Sequence, residues 1–210
     1  MATKQNVPVE KVYTAGSVKE SERAYDEWAK TYEADIFSYG SRFPFVAASI
    51  FTRFVKPDEG PILDAGCGTG LQIEPIWLAG YRDIVGIDLS DGMLVAARRK
   101  GMYRDLHKMT LGERLDFDDG AFANTITVGT ITPGHAPPHS FEELIRVTRK
   151  SGRIIVNMRT DNDVDPAYPA ALKKYERDSL WTRIFSSEEY AAMPFGEPEV
   201  RTTVFVYETL

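Results

Sequence analysis

The residues with the clearest chemical meaning lie in Pro61-Ile-Leu-Asp-Ala-Gly-Cys-Gly-Thr-Gly70, an apolar run that ends in a turn with glycines at 66, 68 and 70. Glycine has no Cβ, so a turn built this way lets a ligand come directly against the main chain. The next apolar run, Ile84-Val-Gly-Ile-Asp88, ends on a carboxylate. An acid at the tip of the second strand of such a unit accepts hydrogen bonds from both hydroxyls of a ribose. Together the two runs predict a site for an adenosine-type cofactor.

Two chemistries use that arrangement, and two features separate them. A nicotinamide dinucleotide fingerprint needs Gly-x-Gly-x-x-Gly, with pyrophosphate at the helix N-terminus. Here position 71 is Leu, and the third glycine falls one residue early. Asp64, directly before the turn, repels a pyrophosphate but suits the polar network around a cationic aminoacyl group. Both features favour methyl transfer. The alternatives are an NAD(P)-type oxidoreductase and a cofactor-binding protein without turnover.

The acceptor side is expected at the carboxyl edge of the sheet, where open α/β folds bind ligands. Thr127-Val-Gly-Thr-Ile-Thr-Pro-Gly-His-Ala-Pro-Pro138 follows the fourth predicted strand there. His135 is the candidate general base, since an unperturbed imidazole titrates near neutrality and a proline-framed loop can aim it; the alternative is that it only packs within the loop. Thr130 and Arg159 are candidate substrate contacts, with Arg159 paired either to an acidic substrate or to Asp161 or Asp163. Tyr25, Trp28 and Tyr32 share a helical face, so they are read as lid packing or as ligand contacts, Trp28 on the substrate side and the two tyrosines on the cofactor side.

These residues need a scaffold that places strand tips side by side. Short apolar runs at Pro61–Asp64, Ile84–Asp88, Leu106–Thr110, Asn124–Val128 and Arg153–Met158 alternate with helical segments at Leu71–Ala79, Gly92–Lys100 and Ser140–Thr148. That alternation predicts a doubly wound α/β sheet. After a helix over Tyr168–Leu180, the runs Trp181–Phe185 and Arg201–Tyr207 lack room for another crossover and predict an antiparallel edge pair, giving seven strands. Upstream, Ser17-Val-Lys-Glu20 reads as a capping box that opens an amphipathic helix through Ala24, Trp28, Ala29, Tyr32 and Ile36. A second helix is expected over Pro44–Phe54, and the first fifteen or so residues read as an irregular arm. Residues 1–56 thus form an arm and helical lid on a core of 57–210, within one domain.

Composition narrows the partners. With 43% hydrophobic and 27% charged residues and a formal charge of −6, the chain offers no basic field for a nucleic acid. Its one cysteine, Cys67, makes no intrachain disulfide, and no Cys/His spacing suggests a metal. There is no signal-like N-terminus and no apolar run of about eighteen residues, so a cytoplasmic location with no membrane partner is expected. A small-molecule acceptor and a monomer or weak homodimer complete that expectation.

The string Leu63–Gly70, followed by Gly86-Ile-Asp-Leu-Ser-Asp-Gly-Met-Leu94, Asp118-Asp-Gly-Ala-Phe122 and Glu142–Gly152, resembles the successive motifs of class I S-adenosylmethionine-dependent methyltransferases. Within that class, Tyr25–Asp35, Thr110-Leu-Gly112 and Arg159-Thr160 are most similar to the methyltransferase-like family named for the Williams-Beuren syndrome region. The resemblance implies a Rossmann-like seven-stranded core with an antiparallel C-terminal pair and S-adenosylmethionine as methyl donor. It further implies that Asp64, Gly66 and Gly68 line the methionine end, with Cys67 a small turn residue among them, and that Asp88 holds the ribose. Leu89 and Met93 then flank adenine, Thr110 or Leu111 replaces the acid that many relatives carry at the third strand tip, and Val128 closes the site. A hydroxyl of Tyr25 or Tyr32 reaches the methionine carboxylate in similar enzymes. The methyl goes to an N, O or S nucleophile, and S-adenosylhomocysteine is the product.

Overall fold

The computed structural model describes residues 8–161 and 164–210. Four helices come first: α1 (Pro8–Tyr13), α2 (Val18–Trp28), α3 (Tyr32–Ser38) and α4 (Phe43–Phe54). The core follows as β1 (Ile62–Ala65), α5 (Glu74–Leu78), β2 (Ile84–Asp88), α6 (Asp91–Lys100), β3 (Asp105–Lys108), β4 (Phe122–Thr127), α7 (Ser140–Val147) and β5 (Thr148–Arg159). The chain ends with α8 (Ala167–Arg177), β6 (Trp181–Ser186), β7 (Tyr190–Met193) and β8 (Glu197–Thr209).

The sheet runs β3-β2-β1-β4-β5-β8-β6, with β7 paired to β8 beside that path. The first five strands of this order pair in parallel, and β8 is antiparallel to β5, β6 and β7. The sheet thus has the doubly wound order and antiparallel end expected from the sequence, with eight strands rather than seven. The extra one, β7, is four residues long and exists only by pairing with the overlong β8, so it carries no alternating pattern of its own.

Strands β1, β2 and β4 are buried at every position, as central parallel strands covered on both faces are, and β4 buries Asn124, Thr125 and Thr127 among its apolar residues. Neighbouring residues still divide between two faces. Leu63, Val85 and Ile87 join a core with Phe141, Leu144 and Tyr175 under α7 and α8. Ile62, Ile84 and Ile126 pack with Phe51, Ile73 and Ile76 under α4 and α5. Because β1 lies between β2 and β4, its C-terminal turn opens in the centre of the sheet edge. That is the switch point at which a ligand can sit across several strand tips.

The N-terminal region departs from the expected arm and single lid helix. The arm contains α1, and the helix expected through Ile36 breaks into α2 and α3 at Ala29–Thr31. Asp35 holds the break, accepting hydrogen bonds from Trp28 Nε1 at 2.8 Å and Thr31 Oγ1 at 2.9 Å. Ser17 caps α2 as its motif requires, accepting from the Glu20 N–H at 3.3 Å, while the Glu20 carboxylate turns back to the N–H of Gly16 rather than of Ser17.

One contact docks this lid on the core. Asp26 Oδ1 accepts from Ser90 Oγ at 2.6 Å and from the Gly92 N–H at 2.8 Å. The same Ser90 hydroxyl caps α6 by accepting from the Met93 N–H at 3.0 Å. Glycine at position 92 allows this close approach: a Cβ there would stand 3.0 Å from the Asp26 Cα, and α2 would have to move back by a few tenths of an ångström. Lys108 reinforces the joint, bonding at 2.6 Å to both Glu22 on α2 and Asp91 on α6.

Candidate active site

A cleft runs along the carboxyl edge of the parallel strands beneath α2, and it has two lobes. The first, about 710 Å³ with the space open to solvent counted in, lies on the tips of β1, β2, β3 and β4. The second, about 840 Å³ on the same measure, lies between the N-terminal helices and the β5–β8 end of the sheet. Tyr25, Tyr32, Gln72, Val128, Gly129, Thr130 and His135 line both, so the lobes meet along a common wall.

Glycine geometry shapes the first lobe. Gly66 has φ +76, and a Cβ on it would lie 2.3 Å from the Thr130 methyl, so the β1 turn and the loop after β4 close only with glycine there. Gly68 and Gly129 also have positive φ, but nothing lies within 4 Å of where their Cβ atoms would be; both leave open main chain toward the cleft they line. Across from them Asp88 is 7% exposed, its Oδ2 accepting from the Gly68 N–H and its Oδ1 from the Ser90 N–H, both at 2.9 Å. Burial pushes this carboxyl up to about 6 against the lowering effect of those N–H groups. Each of its oxygens keeps a lone pair for a further donor.

The rest of this lobe is mainly apolar. Leu89, Met93, Met109 and Leu111 line it with Thr110, and Ser21 of α2 presents a hydroxyl that is 4% exposed and has no hydrogen-bond partner among the described residues. A carboxylate for two hydroxyls, an apolar slot for a planar base and a buried hydroxyl for its edge fit the adenosine half of S-adenosylmethionine. Open main chain at Gly68 and Gly129 leaves room for its aminoacyl half.

The structure lines this lobe with Gly66, Gly68, Asp88, Leu89, Met93, Thr110, Leu111, Val128, Tyr25 and Tyr32 of the expected cofactor set. Two members lie elsewhere. Asp64 is fully buried behind the turn, where Tyr103 donates to it at 2.6 Å and Gln72 at 3.4 Å, so it braces the loop from beneath instead of facing the cleft. Burial raises its carboxyl to about 7 despite those two donors. Cys67 is likewise fully buried, its thiol turned toward the Gly68 carbonyl at 3.7 Å and held well above the ordinary thiol range by burial.

Sequence reasoning missed Ser21, Asp26, Gln72, Tyr103 and Met109. Gln72 ties the turn together, donating to Asp64, to the Gly66 carbonyl at 3.2 Å and to the Cys67 carbonyl at 3.0 Å. Its place two residues beyond the last glycine, and that of Asp26 beside Tyr25, were the available signals.

Trp28, Thr130, His135 and Arg159 all line the second lobe. His135 does not have the near-neutral imidazole expected of it. It sits edge-on to Tyr13, with ring centroids 5.3 Å apart, and to Tyr25 at 5.8 Å, with Nδ1 3.2 Å from the Pro133 carbonyl. Desolvation among these rings lowers it to about 4, so at neutral pH it is an uncharged hydrogen-bonding group. Arg159 is held by Asp161 in a two-pronged pair at 2.8 and 2.9 Å, the intramolecular partner named in the sequence reading; Asp163 lies outside the described residues. Among the described residues no three His, Cys, Asp or Glu side chains are grouped to hold a metal, and no helix is long and apolar enough to cross a membrane.

The comparisons with known proteins agree with this geometry. A family model described as a methyltransferase domain matches residues 63–156. Phosphatidylethanolamine N-methyltransferase of Cereibacter sphaeroides is 31% identical over 184 residues, covering 82% of this chain and 85% of the relative. The chain belongs to the class I S-adenosylmethionine-dependent methyltransferases, and its methyl donor is S-adenosylmethionine. Among its relatives, methyltransferase-like protein 27 of Homo sapiens is 32% identical over 163 residues, 75% of this chain. The chain spans 66% of that relative's length. A methyltransferase from Haloferax volcanii, solved with its activator Trm112, has the same fold, with a TM-score of 0.70 at 16% identity over 92% of this chain and 97% of that one.

Proposed function

We propose that the first lobe holds the methyl donor and the second a small-molecule acceptor, and that the methyl passes across the wall they share. The observation that carries this reading is the common lining of the two lobes by Tyr25, Tyr32, Thr130 and His135. Groups bound in the two lobes therefore lie next to each other beside these side chains. S-adenosylmethionine supplies an electrophilic methyl on a cationic sulfonium.

The chain's own residues bind, orient and exclude water. Asp88 accepts the ribose hydroxyls, Leu89 and Met93 hold the base, and the open main chain at Gly68 and Gly129 receives the aminoacyl end. Tyr25, Trp28 and Tyr32 cover the cleft, with Trp28 fixed by Asp35 and the lid by Asp26. Holding two reactants in line replaces a bimolecular encounter and supplies much of the rate. The acceptor's N, O or S lone pair forms the new bond to carbon as the carbon–sulfur pair returns to sulfur, and any proton on the acceptor leaves afterward. With its imidazole lowered to about 4, His135 is a weak base, and it orients the nucleophile through a hydrogen bond rather than removing a proton in advance.

The test is to incubate the protein with methyl-labelled S-adenosylmethionine and a cell extract split by ultrafiltration. Label is expected in the low-molecular-weight fraction. Label confined to protein or RNA would overturn the small-molecule reading.

A further inference from the structure

The second lobe is large, mostly apolar, and almost free of net charge. Trp28, Ile36, Phe43, Met193 and Val200 supply the apolar walls. Among its described lining residues the only side chain charged at neutral pH is Arg159, and the Asp161 carboxylate already balances its charge through the Nε and Nη2 edge of the guanidinium. A phosphate, carboxylate or ammonium carried into this lobe would be stripped of water and would find no counter-charge that is not already matched, which is costly.

Two buried hydroxyls on its lining, those of Ser41 and of Thr202 on β8, have no hydrogen-bond partner among the described residues, and Ser41 is the one that belongs to the N-terminal helical cover. Ser41 lies in the turn between α3 and α4, is 6% exposed, and its hydroxyl has no hydrogen-bond partner among the described residues. The backbone on both sides is fixed: the Ser41 N–H donates to the Ile36 carbonyl at 3.2 Å, and the Arg42 N–H to the Ala192 carbonyl at 2.8 Å. The hydroxyl is therefore held at the lobe's lining by a rigid turn. Buried hydroxyls are ordinarily paired, so one left without a partner on a cavity wall marks a place where a ligand group belongs.

Ser41 lines the second lobe alone and not the wall shared with the donor lobe, so it cannot be the contact to the attacking atom. We propose that the acceptor is an uncharged small molecule with an apolar body, bearing its nucleophile at one end and a second hydrogen-bonding group, away from the nucleophile, that pairs with Ser41. This rests on the assignment of the second lobe to the acceptor. Ser41 is then a specificity-determining residue: it rejects molecules that lack the distal group, because it would stay buried and unpaired beside them, as sites built around a substrate hydroxyl do. The paired Arg159 rejects charged analogues by offering them nothing.

The test uses a matched set of naphthalenes and the protein loaded with S-adenosylhomocysteine, with calorimetry as the readout. The set is 2,6-dihydroxynaphthalene, 2-naphthol, 6-hydroxy-2-naphthoate and the ammonium form of 6-aminomethyl-2-naphthol. The dihydroxy compound is expected to bind about tenfold more tightly than either charged analogue, equivalent to about 1.4 kcal/mol, and about fivefold more tightly than 2-naphthol. Ser41→Ala should remove the advantage over 2-naphthol while the disadvantage of the charged pair persists. Equal or tighter binding of a charged analogue overturns the proposal, as does a Ser41→Ala protein that keeps the wild-type preference, or failure of the dihydroxy compound to bind. Loading with S-adenosylhomocysteine is measured first. If that ligand does not bind, the donor-lobe reading fails; if it binds and the naphthalene order is wrong, only the present inference fails.

Discussion

The donor lobe is assembled from strand tips that follow one another along the chain, whereas the acceptor lobe gathers residues from Tyr13 to Thr202. In the donor lobe the important contacts are main-chain N–H groups, positive-φ glycines and one carboxylate at a strand end, all set by the order β3-β2-β1-β4. The second lobe is walled by side chains of the N-terminal helices, the loops after β1 and β4, the end of β5 and the β7–β8 hairpin. The difference teaches that one half of this site is backbone architecture and tolerates little change, while the other half is a surface of exchangeable side chains. Side chains of the second lobe that lie outside the shared wall can vary without touching the first.

The sharpest break of that comparison is at Asp88. Asp88→Ala removes the acceptor of both ribose hydroxyls and leaves the Gly68 and Ser90 N–H groups without their partner. Two hydrogen bonds to a charged group at about 1.5 kcal/mol each imply at least about 100-fold weaker S-adenosylmethionine binding by calorimetry. Binding of acceptor probes alone should change much less, and an equal loss at both lobes would show that they are not independent.

Gly66→Ala is expected to act on the fold. Its φ of +76 and the 2.3 Å approach to Thr130 together predict a loss of about 2 kcal/mol in denaturant unfolding, because the clash is with a β-branched side chain hydrogen-bonded at 3.1 Å to the Val128 carbonyl. Gly68→Ala, with no atom near the new methyl, should cost less stability and act mainly on donor affinity.

Asp26→Asn tests the joint between the halves. The isosteric amide keeps one acceptor oxygen but loses the charge that takes the Ser90 hydroxyl and the Gly92 N–H, so the lid that roofs both lobes is held less firmly. About tenfold higher acceptor KM is expected, with faster proteolytic cleavage near Ala29–Thr31 even when the donor is bound. Unchanged cleavage would mean that Lys108 with Glu22 and Asp91 suffices to dock α2.

His135 yields a smaller, pH-dependent effect. Its folded-state value of about 4 lies below the ordinary 6.5, so between those values the unfolded chain takes up a proton that the folded one refuses. Its contribution to stability is therefore constant above pH 6.5 and falls as the pH drops toward 4. The stability difference between wild type and His135→Gln should change only within that window, and the rate profile should show no histidine inflection near 6.5. An inflection there, absent in the variant, would restore His135 as a base in the usual range. Smallest of all, the buried Cys67 thiol is expected to resist maleimide in the native protein and to react only on unfolding, since it is neither exposed nor ionised.

Most of the donor lobe was legible because its parts are local. A strand, a glycine turn and an acid at the next strand tip are each defined within a few residues, and parallel pairing then has few ways to arrange them. Asp64 and Cys67 stand buried behind the turn rather than on the cleft lining, because motif proximity does not say which way a side chain turns. Tyr103 and Gln72 were invisible for the converse reason: they meet Asp64 only after the sheet closes.

What the sequence by itself determined is the doubly wound sheet, the donor it binds and the main chain that receives it, because periodicity and glycine stereochemistry act over a few residues. The tertiary structure alone decided that His135 is uncharged near neutrality, that Arg159 is already paired, that α2 hangs from Ser90 through Asp26, and that Ser41 faces a cavity without a partner. Those properties are set by burial and by neighbours brought together from distant parts of the chain, and desolvation has no signature in the order of residues.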